Sequence, residues 1–525
     1  MTRTRKAALA AALLLPLVAG GFALQARGTR GGAQLLDQVL TFVALRYVDT
    51  LDTQALYEKA ARGLVKELND PYTELFSPKE LAEFSRNTNG RYAGIGMEIS
   101  KIGDYVTVNR VFPNSPAEGG GVQEGDKIMV IDTANARGWN TQQVQNLLLG
   151  PAGTPVKVTF GRIGVPQPIT LSFRRAQIQV PAVPYSMMLE DQVGYIPLQR
   201  FSEQTTADIA RSVLALREKG ARGIVIDLRG NPGGILDEAF SMANLFLPKG
   251  KELLSVRGRE EFQKFESTEA PLAPDVPLVV LVDGGSASAS EIVAGALQDY
   301  DRALILGTTS FGKGLVQSVY NLDGGYALKI TTGKWFTPSG RSIQRERRLT
   351  PDGQFVEVRP DSQESDSVRK ARPVFKSAAG RTLYGGGGIT PDVVVSPDTI
   401  SSKEQQLRRA LAPHYPTIFA TAMAIAEEQK GKVRPDFAIN PAWRETVWQR
   451  LAQDSVKLDR ATWEAGAGEV DRIIEERVAK VAFGDTTVRR RSLHDDNQLR
   501  QALRVLRSAR TQQAVFQAAA GTGRK

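Results

Sequence analysis

The sequence predicts a multidomain protein built around an α/β domain, with a smaller β-rich domain before it and helical regions at both ends. Its 525 residues exceed what one hydrophobic core usually organises. Strand-like and helix-like segments alternate over residues 183–396, whereas residues 91–175 contain short strands punctuated by glycine and proline. Residues 32–90 and 400–520 instead show the three- and four-residue apolar spacing of amphipathic helices.

Buried strands carry the α/β prediction. Gly223–Leu228 and Leu278–Asp283 are continuous apolar runs, as expected for strands that are covered by helices on both faces. Further strands are expected at Val193–Leu198 and Ala303–Gly307, and helices at Thr205–Lys219, Leu236–Leu247 and Glu291–Asp299. A polar segment at 345–376 predicts a long loop or partly disordered flap inserted into this domain.

Composition excludes several kinds of chemistry. The net charge is +10, but no basic stripe with interleaved aromatic residues indicates nucleic-acid binding. The absence of cysteine excludes disulfides, thiol nucleophiles and thiolate metal sites. The two histidines, His414 and His494, both lie in the last quarter of the chain, which disfavours a histidine base or a histidine-rich metal site. We therefore expect neither a metal nor a cofactor.

The N-terminus has the pattern of an export signal. Arg3, Arg5 and Lys6 precede an apolar stretch that runs from Ala7 to about Leu24, and small residues follow it. Residues 1–26 therefore predict either a cleaved signal peptide or an uncleaved anchor, since the stretch is just long enough to span a bilayer. The expected location is periplasmic or otherwise outside the cytoplasm, with the protein released or anchored at the inner membrane.

A serine-rich turn follows the strand that begins at Leu278. Ser286, Ser288 and Ser290 lie between two glycines and a helix start, where free backbone N–H groups and the positive end of the helix dipole are available. Such groups can stabilise an oxyanion beside a nucleophilic hydroxyl. One of these serines could instead simply cap the helix, and this segment alone does not separate the two interpretations.

A lysine between two glycines follows the next strand. The backbone of Lys313 can approach another segment closely because Gly312 and Gly314 flank it. A lysine desolvated there would have a lowered pKa and could act as a general base. A solvent-facing loop lysine and a phosphate-binding lysine are the alternatives, although the spacing of a Walker motif is absent.

A glycine-rich turn follows the strand at 224–228. Gly233 and Gly234 close the run Asp-Leu-Arg-Gly-Asn-Pro-Gly-Gly, just before a predicted helix. Such a turn can direct backbone N–H groups into a cleft. The alternative is a strand-to-helix turn that needs glycine for backbone reasons alone.

Together these three segments resemble the C-terminal processing, or tail-specific, protease family. The family signatures S-A-S-A-S-E and F-G-K-G-x-V-Q are intact at residues 286–291 and 311–317. The resemblance, which covers roughly residues 35–396, implies a crotonase-like α/β protease core. It also implies the site: a nucleophile at Ser288, a general base at Lys313, a lysine-positioning Gln317, and an oxyanion hole formed by the N–H of Ala289 with that of Gly233 or Gly234.

The β-rich region resembles a PDZ domain. Its carboxylate-binding loop would be formed by Gly94, Ile95, Gly96 and Met97, and the segments at 115–118 and 125–128 resemble the middle of such a domain. The resemblance implies that a peptide C-terminus adds as a strand to the sheet edge, with loop amides holding its carboxylate. Leu147 and Leu148 would line the pocket for an apolar last residue. An inert structural insert is the alternative.

These features predict a serine endoprotease that recognises substrate C-termini and works through a Ser–Lys acyl-enzyme. A PDZ-bearing scaffold with a dead protease fold would be expected to lack Ser288 or Lys313, and both are present. A crotonase-like acyl-transfer enzyme is disfavoured by the export signal and the PDZ pattern. The expected partners are proteins or peptides with accessible C-termini, an adaptor protein, and a second copy of the chain paired through the terminal helices.

Overall fold

The computed structural model describes residues 31–162, 164–345, 347–349, 355–357, 371–399, 401–453, 456 and 458–522. Contacts within the chain divide it into two compact units. The smaller unit contains the described residues up to Leu81 together with Gln317–Thr331. The larger unit contains Ala82–Val316 and the described residues from Thr332 onward.

The described part of the smaller unit combines helices with short antiparallel strand pairings. Its helices span residues 31–46 and Thr53–Glu67, and Asp52 caps the second by accepting from the N–H of Ala55 at 3.3 Å. Glu74–Phe76 is a strand that pairs with residues 327–329. The sequence predicted only helix here, because the pairing partner of this strand lies about 250 residues further on and leaves no local signal.

The β-rich domain of the larger unit is a five-stranded antiparallel sheet with one short extra strand. The strands, in sheet order, are Met97–Ile102, Tyr105–Val111, Lys127–Ile131, Pro155–Gly161 and Ile169–Arg174, with Ala134–Asn135 beside Lys127–Ile131. Alternating side chains such as Val156, Val158 and Phe160 point into its core. Two further strands, Arg91–Gly94 and Ala176–Gln179, pair with each other, and helices span Pro116–Gly119 and Thr141–Leu148.

The central sheet confirms the α/β prediction. Its strands, in order, are Met187–Met188, Val193–Pro197, Gly223–Asp227, Leu278–Val282, Leu304–Gly307 and Val393–Val394, all parallel except for the first pair. Helices Thr205–Glu218, Leu236–Asn244 and Ala289–Asp299 cover one face. Helices Asn497–Arg507 and Gln512–Thr522 cover the other face through residues such as Val505 and Val515.

Residues 400–520, which the sequence predicted as a C-terminal helical region, contain helices that pack in two different places. The last two helices belong to the core of the central sheet, to which helix Asp485–His494 also contributes Leu493. A separate core around Trp463 and Ile474 is formed by helices Ser402–Leu411, Tyr415–Gln429, Pro441–Gln453, Arg460–Ala465 and Ala467–Phe483. An amphipathic pattern shows which face of a helix is buried but not which surface it packs against.

The remaining described elements are short. Strands span Glu252–Gly258, Phe262–Glu266, Leu315–Asn321, Ala327–Phe336, Arg347–Leu349, Phe355–Glu357, Val374–Lys376 and Thr382–Tyr384; helix Pro78–Asn89 and single turns at Glu190–Gln192, Asp323–Gly325 and Ala412–His414 complete the set. Most of the flap predicted at 345–376 lies outside the described residues. None of the helices in the described part of the chain is both long and apolar enough to cross a bilayer.

Candidate active site

Ser288 lies at the junction between the serine-rich turn and helix Ala289–Asp299. Its backbone has φ +53° and ψ −111°, a conformation that L residues rarely adopt and that is often found at functional positions. The hydroxyls of Ser286 and Ser290 are buried and donate to the carbonyls of Leu228 and Asn231, at 2.8 and 3.0 Å. Ser288 alone of the three serines is only partly buried. The hydroxyls of its two neighbours are thus bound to backbone carbonyls, whereas Ser288 occupies the N-cap position of the helix.

One buried carboxylate connects the serine turn to the lysine loop. Oε2 of Glu291 accepts the backbone N–H of Ser288 at 2.8 Å and that of Lys313 at 2.9 Å. Its Oε1 accepts the N–H of Gly312 at 2.6 Å and the hydroxyl of Ser310 at 2.5 Å. The same side chain thus fixes the main chains of the predicted nucleophile and the predicted base beside each other.

Burial raises the pKa of the Glu291 carboxyl, and the hydrogen bonds from Ser310 and from three backbone N–H groups oppose that rise. All four partners donate to the carboxylate, so each of its oxygens accepts two hydrogen bonds. On the sequence alone, Glu291 is only the first residue of a predicted helix. The signal that could have found it is the capping-box spacing, a glutamate three residues after an N-cap serine.

The lysine loop is held on other sides as well. The indole N–H of Trp335 donates to the carbonyl of Lys313 at 3.1 Å, and the side-chain oxygen of Gln344 accepts the N–H of Gly314 at 2.8 Å. A fully buried ion pair between Arg341 and Asp299, at 2.7 Å, supports the segment that carries Gln344. Lys313 itself is partly buried. The lowered pKa expected for its amine stays a prediction.

Gln317 lies on strand Leu315–Asn321, in the smaller unit. Its Nε2 is buried and has no hydrogen-bond partner among the described residues. Buried amide donors without an acceptor are rare in folded proteins, so this one merits an explanation. The lysine-positioning role implied for Gln317 stays a prediction.

The glycine turn lies against Ser288. A Cβ on Gly233, where φ is +91°, would approach the carbonyl oxygen of Ala287 to 2.7 Å and Cβ of Ser288 to 3.0 Å. A Cβ on Gly234 would lie 2.0 Å from the carbonyl oxygen of Phe201. Both positions therefore require glycine because neighbouring backbone leaves no room for a side chain.

The two glycines differ in what their N–H groups do. The N–H of Gly233 donates to Oδ1 of Asn231 at 2.9 Å. The N–H groups of Gly234 and Ala289 donate to no other group in the described part of the chain. The backbone carbonyl of Asn231 accepts the N–H of Ala287 at 3.0 Å, which ties the glycine turn to the serine turn. Of the two candidate glycines, Gly234 is thus the one with a donor available for an oxyanion.

A groove of about 560 Å³ runs along the β-rich domain. Its lining includes the predicted loop residues Gly94, Ile95, Gly96 and Met97, together with Leu148 and Leu149. Leu147 lies outside the groove, because the helix turns its side chain toward solvent, where it is 39% exposed. The phenol of Tyr92 lies in the same groove, and burial raises the pKa of Tyr92 to about 12.

Among the described residues, no cluster of three or more acidic or histidine side chains is arranged to hold a metal ion. Both histidines lie in the C-terminal helical part of the chain, on or beside helices Tyr415–Gln429 and Asp485–His494.

Comparison with known proteins gives two family matches. A model of peptidase family S41 matches residues 192–355, and a model of the PDZ domain matches residues 83–160. The carboxy-terminal-processing protease of Bartonella bacilliformis is 39% identical over 316 residues, which cover 59% of this chain and 72% of that protein. The carboxy-terminal processing protease CtpA of Bacillus subtilis is 34% identical over 300 residues, 57% of this chain and 64% of that protein.

Among solved structures, the photosystem II D1 C-terminal processing protease is 27% identical and covers 71% of this chain and 89% of its own, with a TM-score of 0.38. A peptidase core together with a PDZ domain defines a serine-type peptidase with a peptide-binding module. The chain belongs to the C-terminal processing proteases of peptidase family S41. This confirms the family, the protease core and the PDZ domain predicted from the sequence.

Proposed function

We propose that this protease binds the C-termini of protein substrates in its PDZ groove and cleaves them through a Ser288–Lys313 acyl-enzyme. The observation that carries the proposal is the carboxylate of Glu291, which accepts the backbone N–H groups of both residues through one oxygen atom. That contact brings together, across a separation of 25 residues, the two residues that the family signatures single out.

The chemistry follows from these positions. The neutral amine of Lys313 accepts the hydroxyl proton of Ser288, whose oxygen attacks the scissile carbonyl carbon. The resulting oxyanion is bound by the N–H groups of Ala289 and Gly234. The tetrahedral intermediate then collapses, the peptide amine leaves with a proton from Lys313, and a water molecule that Lys313 deprotonates hydrolyses the ester. Gln317 would orient the neutral lysine amine by accepting one of its N–H groups through Oε1, which leaves the amine lone pair for the serine proton.

Two carboxylates near the site that could act as a base already accept hydrogen bonds from other groups. Asp227 is bound by Arg229 and by the hydroxyl of Tyr195 at 2.7 Å. Glu291 accepts four hydrogen bonds, and its carboxylate is a weak base toward a serine hydroxyl. These commitments support lysine as the group that activates Ser288.

The PDZ groove supports recognition of a free C-terminus. The lining of the groove contains the loop 94–97, whose N–H groups would bind a carboxylate, and the apolar side chains of Leu148 and Leu149 would accept an apolar last residue.

Location and assembly remain part of the proposal. The basic and apolar pattern of residues 1–26, which lie outside the described residues, supports export to the periplasm or another space outside the cytoplasm. Pairing with a second copy is supported by the exposed apolar side chains of Leu35, Phe42 and Leu45 on the first helix. An adaptor would be expected at the surface of the C-terminal helices.

The test compares the full-length wild type with Ser288→Ala and Lys313→Ala. Each is incubated with an unfolded protein that ends in apolar residues, with the same protein ending in charged residues, and with the first protein amidated at its C-terminus. Fragments are identified by mass spectrometry. Cleavage by the wild type alone, with preference for the free apolar C-terminus, is expected. Equal cleavage by Ser288→Ala would refute the mechanism, and equal cleavage of the amidated protein would refute C-terminal recognition.

A further inference from the structure

Arg229, in the glycine turn at residues 228–234, is bound by two carboxylates from distant parts of the sequence. Its Nη2 donates to Oδ2 of Asp227 and to Oδ2 of Asp496, each at 2.6 Å. Its Nη1 donates to Oδ1 of Asp496 at 3.1 Å and to Oε1 of Gln498 at 2.9 Å, and its Nε donates to Asp227. Every nitrogen of this guanidinium therefore has an acceptor, and the side chain is only 19% exposed.

The two carboxylates differ in what they can fix. Asp227 lies two residues before Arg229, and one of its oxygens also accepts the N–H of Arg229 at 3.0 Å. It belongs to the same strand end as the turn and can shape the turn locally. Asp496 lies 267 residues away, on the far side of the central sheet, so it fixes the turn relative to an independent part of the structure.

The position of Asp496 does not depend on Arg229. Its Oδ1 accepts the N–H of Leu499 at 3.0 Å and caps helix Asn497–Arg507. That helix buries Leu499, Val505 and other apolar side chains against the sheet. At the start of the helix, Nε2 of Gln498 donates to the carbonyl of Val395 at 2.7 Å. Apolar packing and capping therefore hold the carboxylate in place before it meets the guanidinium.

The turn transmits this position to Ser288. The N–H of Gly230, next to Arg229, donates to Oδ1 of Asp283 at 2.8 Å. Asn231 then accepts the N–H of Gly233 through its side chain and that of Ala287 through its carbonyl, at 2.9 and 3.0 Å. The turn that ends in Gly234 is thus attached to Asp496 at one end and to the serine turn at the other.

We propose that Asp496, acting through Arg229, is a positioning residue that places the oxyanion-binding N–H of Gly234. Gln498 shares this role through its bond to the same guanidinium. The inference rests on the proposed function, since it assigns a support to the oxyanion hole of the Ser288 reaction. It gives the C-terminal end of the chain a part in catalysis, although no family signature extends that far.

The variants separate charge from capping. Asp496→Asn retains a good helix cap but removes the charge that faces Arg229. Asp496→Glu restores the charge. Gln498→Met removes another acceptor of Arg229, together with the donor to the Val395 carbonyl, and leaves the Asp496 cap untouched. Asp398→Asn is the matched control, because exposed Asp398 accepts the N–H of Asn497 at 2.9 Å at the same helix start without contacting Arg229.

Three quantities are measured on the full-length protein: kcat and KM for a peptide substrate, Ki for a peptide aldehyde of the same sequence, and Kd of a fluorescent C-terminal peptide. With the aldehyde, Ser288 Oγ bonds to the aldehyde carbon, the carbonyl oxygen becomes an alkoxide, and the serine proton passes to Lys313. The adduct therefore needs the oxyanion donors, whereas the C-terminal peptide does not.

Loss of one oxyanion donor typically lowers kcat by about 100- to 1,000-fold, so displacement of one should lower it by about tenfold. We expect Asp496→Asn to show that decrease and an equal rise in the aldehyde Ki, with KM and peptide Kd unchanged. Gln498→Met should show a smaller effect of the same kind. Asp496→Glu should recover most of the kcat, and Asp398→Asn should match the wild type.

A wild-type kcat and aldehyde Ki in both Asp496→Asn and Gln498→Met would overturn the inference. A loss of kcat that is accompanied by a rise in KM and peptide Kd would overturn it too, as would an equal loss of kcat in Asp398→Asn. If Asp496→Asn fails to fold by circular dichroism, Gln498→Met decides. A wild type without Ser288-dependent turnover would instead refute the proposed function, and this inference with it. An active wild type matched by active variants refutes the inference alone.

Discussion

Replacing Glu291 with glutamine tests the contact on which the active site depends. The change preserves the shape of the side chain but replaces one carboxylate oxygen by an NH₂ group. In the wild type each carboxylate oxygen accepts two hydrogen bonds: Oε2 from Ser288 and Lys313, and Oε1 from Gly312 and Ser310. Whichever position the NH₂ group takes, it faces two donors, and two hydrogen bonds to a charged group are lost.

A hydrogen bond to a charged group contributes about 1.5–3 kcal/mol, so the loss of two should lower the free energy of unfolding by roughly 3–6 kcal/mol before relaxation. Activity should fall as well, because a displacement of about 1 Å between catalytic groups can cost about 100-fold in rate. Urea denaturation followed by fluorescence measures the first quantity, and kcat under conditions where the variant is folded measures the second.

Glu404 supplies the control for this experiment. It forms the same capping box, accepting the N–H of Ser401 at 2.8 Å, but it lies at the surface and far from the catalytic segments in sequence. Glu404→Gln should cost no more than about 1 kcal/mol, since a capping interaction is worth about that much. A free energy of unfolding of Glu291→Gln within about 1 kcal/mol of the wild-type value, together with full kcat, would contradict this prediction. An equally large loss of stability in Glu404→Gln would contradict it as well.

Three further predictions concern the groove, the pH dependence and the C-terminal helices. Leu148→Ala should weaken the binding of apolar-ended peptides by about tenfold, since burial of such a side chain is worth roughly 1.5–3 kcal/mol. Leu147→Ala, at an exposed position, should leave the peptide Kd unchanged. Fluorescence anisotropy measures both Kd values, and equal effects would contradict the groove assignment. Hydrogen bonds from Arg62 and Ser77 lower the pKa of Glu80 to about 2. The ionised carboxylate contributes on the order of 1 kcal/mol or less to stability, because the site is partly exposed. This contribution is present above the ordinary pKa of 4.5 and is lost as the pH falls toward 2. The stability difference between wild type and Glu80→Gln should therefore vanish at acid pH in denaturation curves, and a constant difference would count against the pair. Arg477 binds Glu124 at 2.7 Å. A double-mutant cycle of Arg477→Met and Glu124→Gln, measured by the free energy of unfolding, should therefore give a coupling of about 1–3 kcal/mol. Zero coupling would show that the contact does not hold the C-terminal helices to the PDZ domain.

Local patterns predicted the elements around the site well. The apolar runs that predicted strands at residues 223–228 and 278–283 correspond to Gly223–Asp227 and Leu278–Val282. Their continuity predicted helices on both faces, and both faces are covered. The pattern did not show that helices from the chain terminus cover the second face. A helix pattern specifies an apolar surface, and several surfaces of the protein could accept it.

Two distinctions could not be made from the sequence, because they depend on tertiary packing and on side-chain contacts. Leu147 and Leu148 are adjacent apolar residues on one helix, and only the rotation of that helix in the domain shows that Leu148 lines the groove. The choice between Gly233 and Gly234 depended on Asn231, whose side chain takes the N–H of the first glycine. The spacing of residues along the chain predicts neither of these two distinctions.

The sequence by itself determined the family and the presence of the PDZ and protease segments, and it predicted the residues of the reaction, because motifs carry chemistry at fixed local spacing. Only the tertiary structure decided which groups hold those residues: Glu291 between Ser288 and Lys313, and Asp496 on Arg229. The physical reason is that these supports are hydrogen bonds between segments far apart in the chain. Their geometry exists only after the apolar faces of the sheet and its helices have packed.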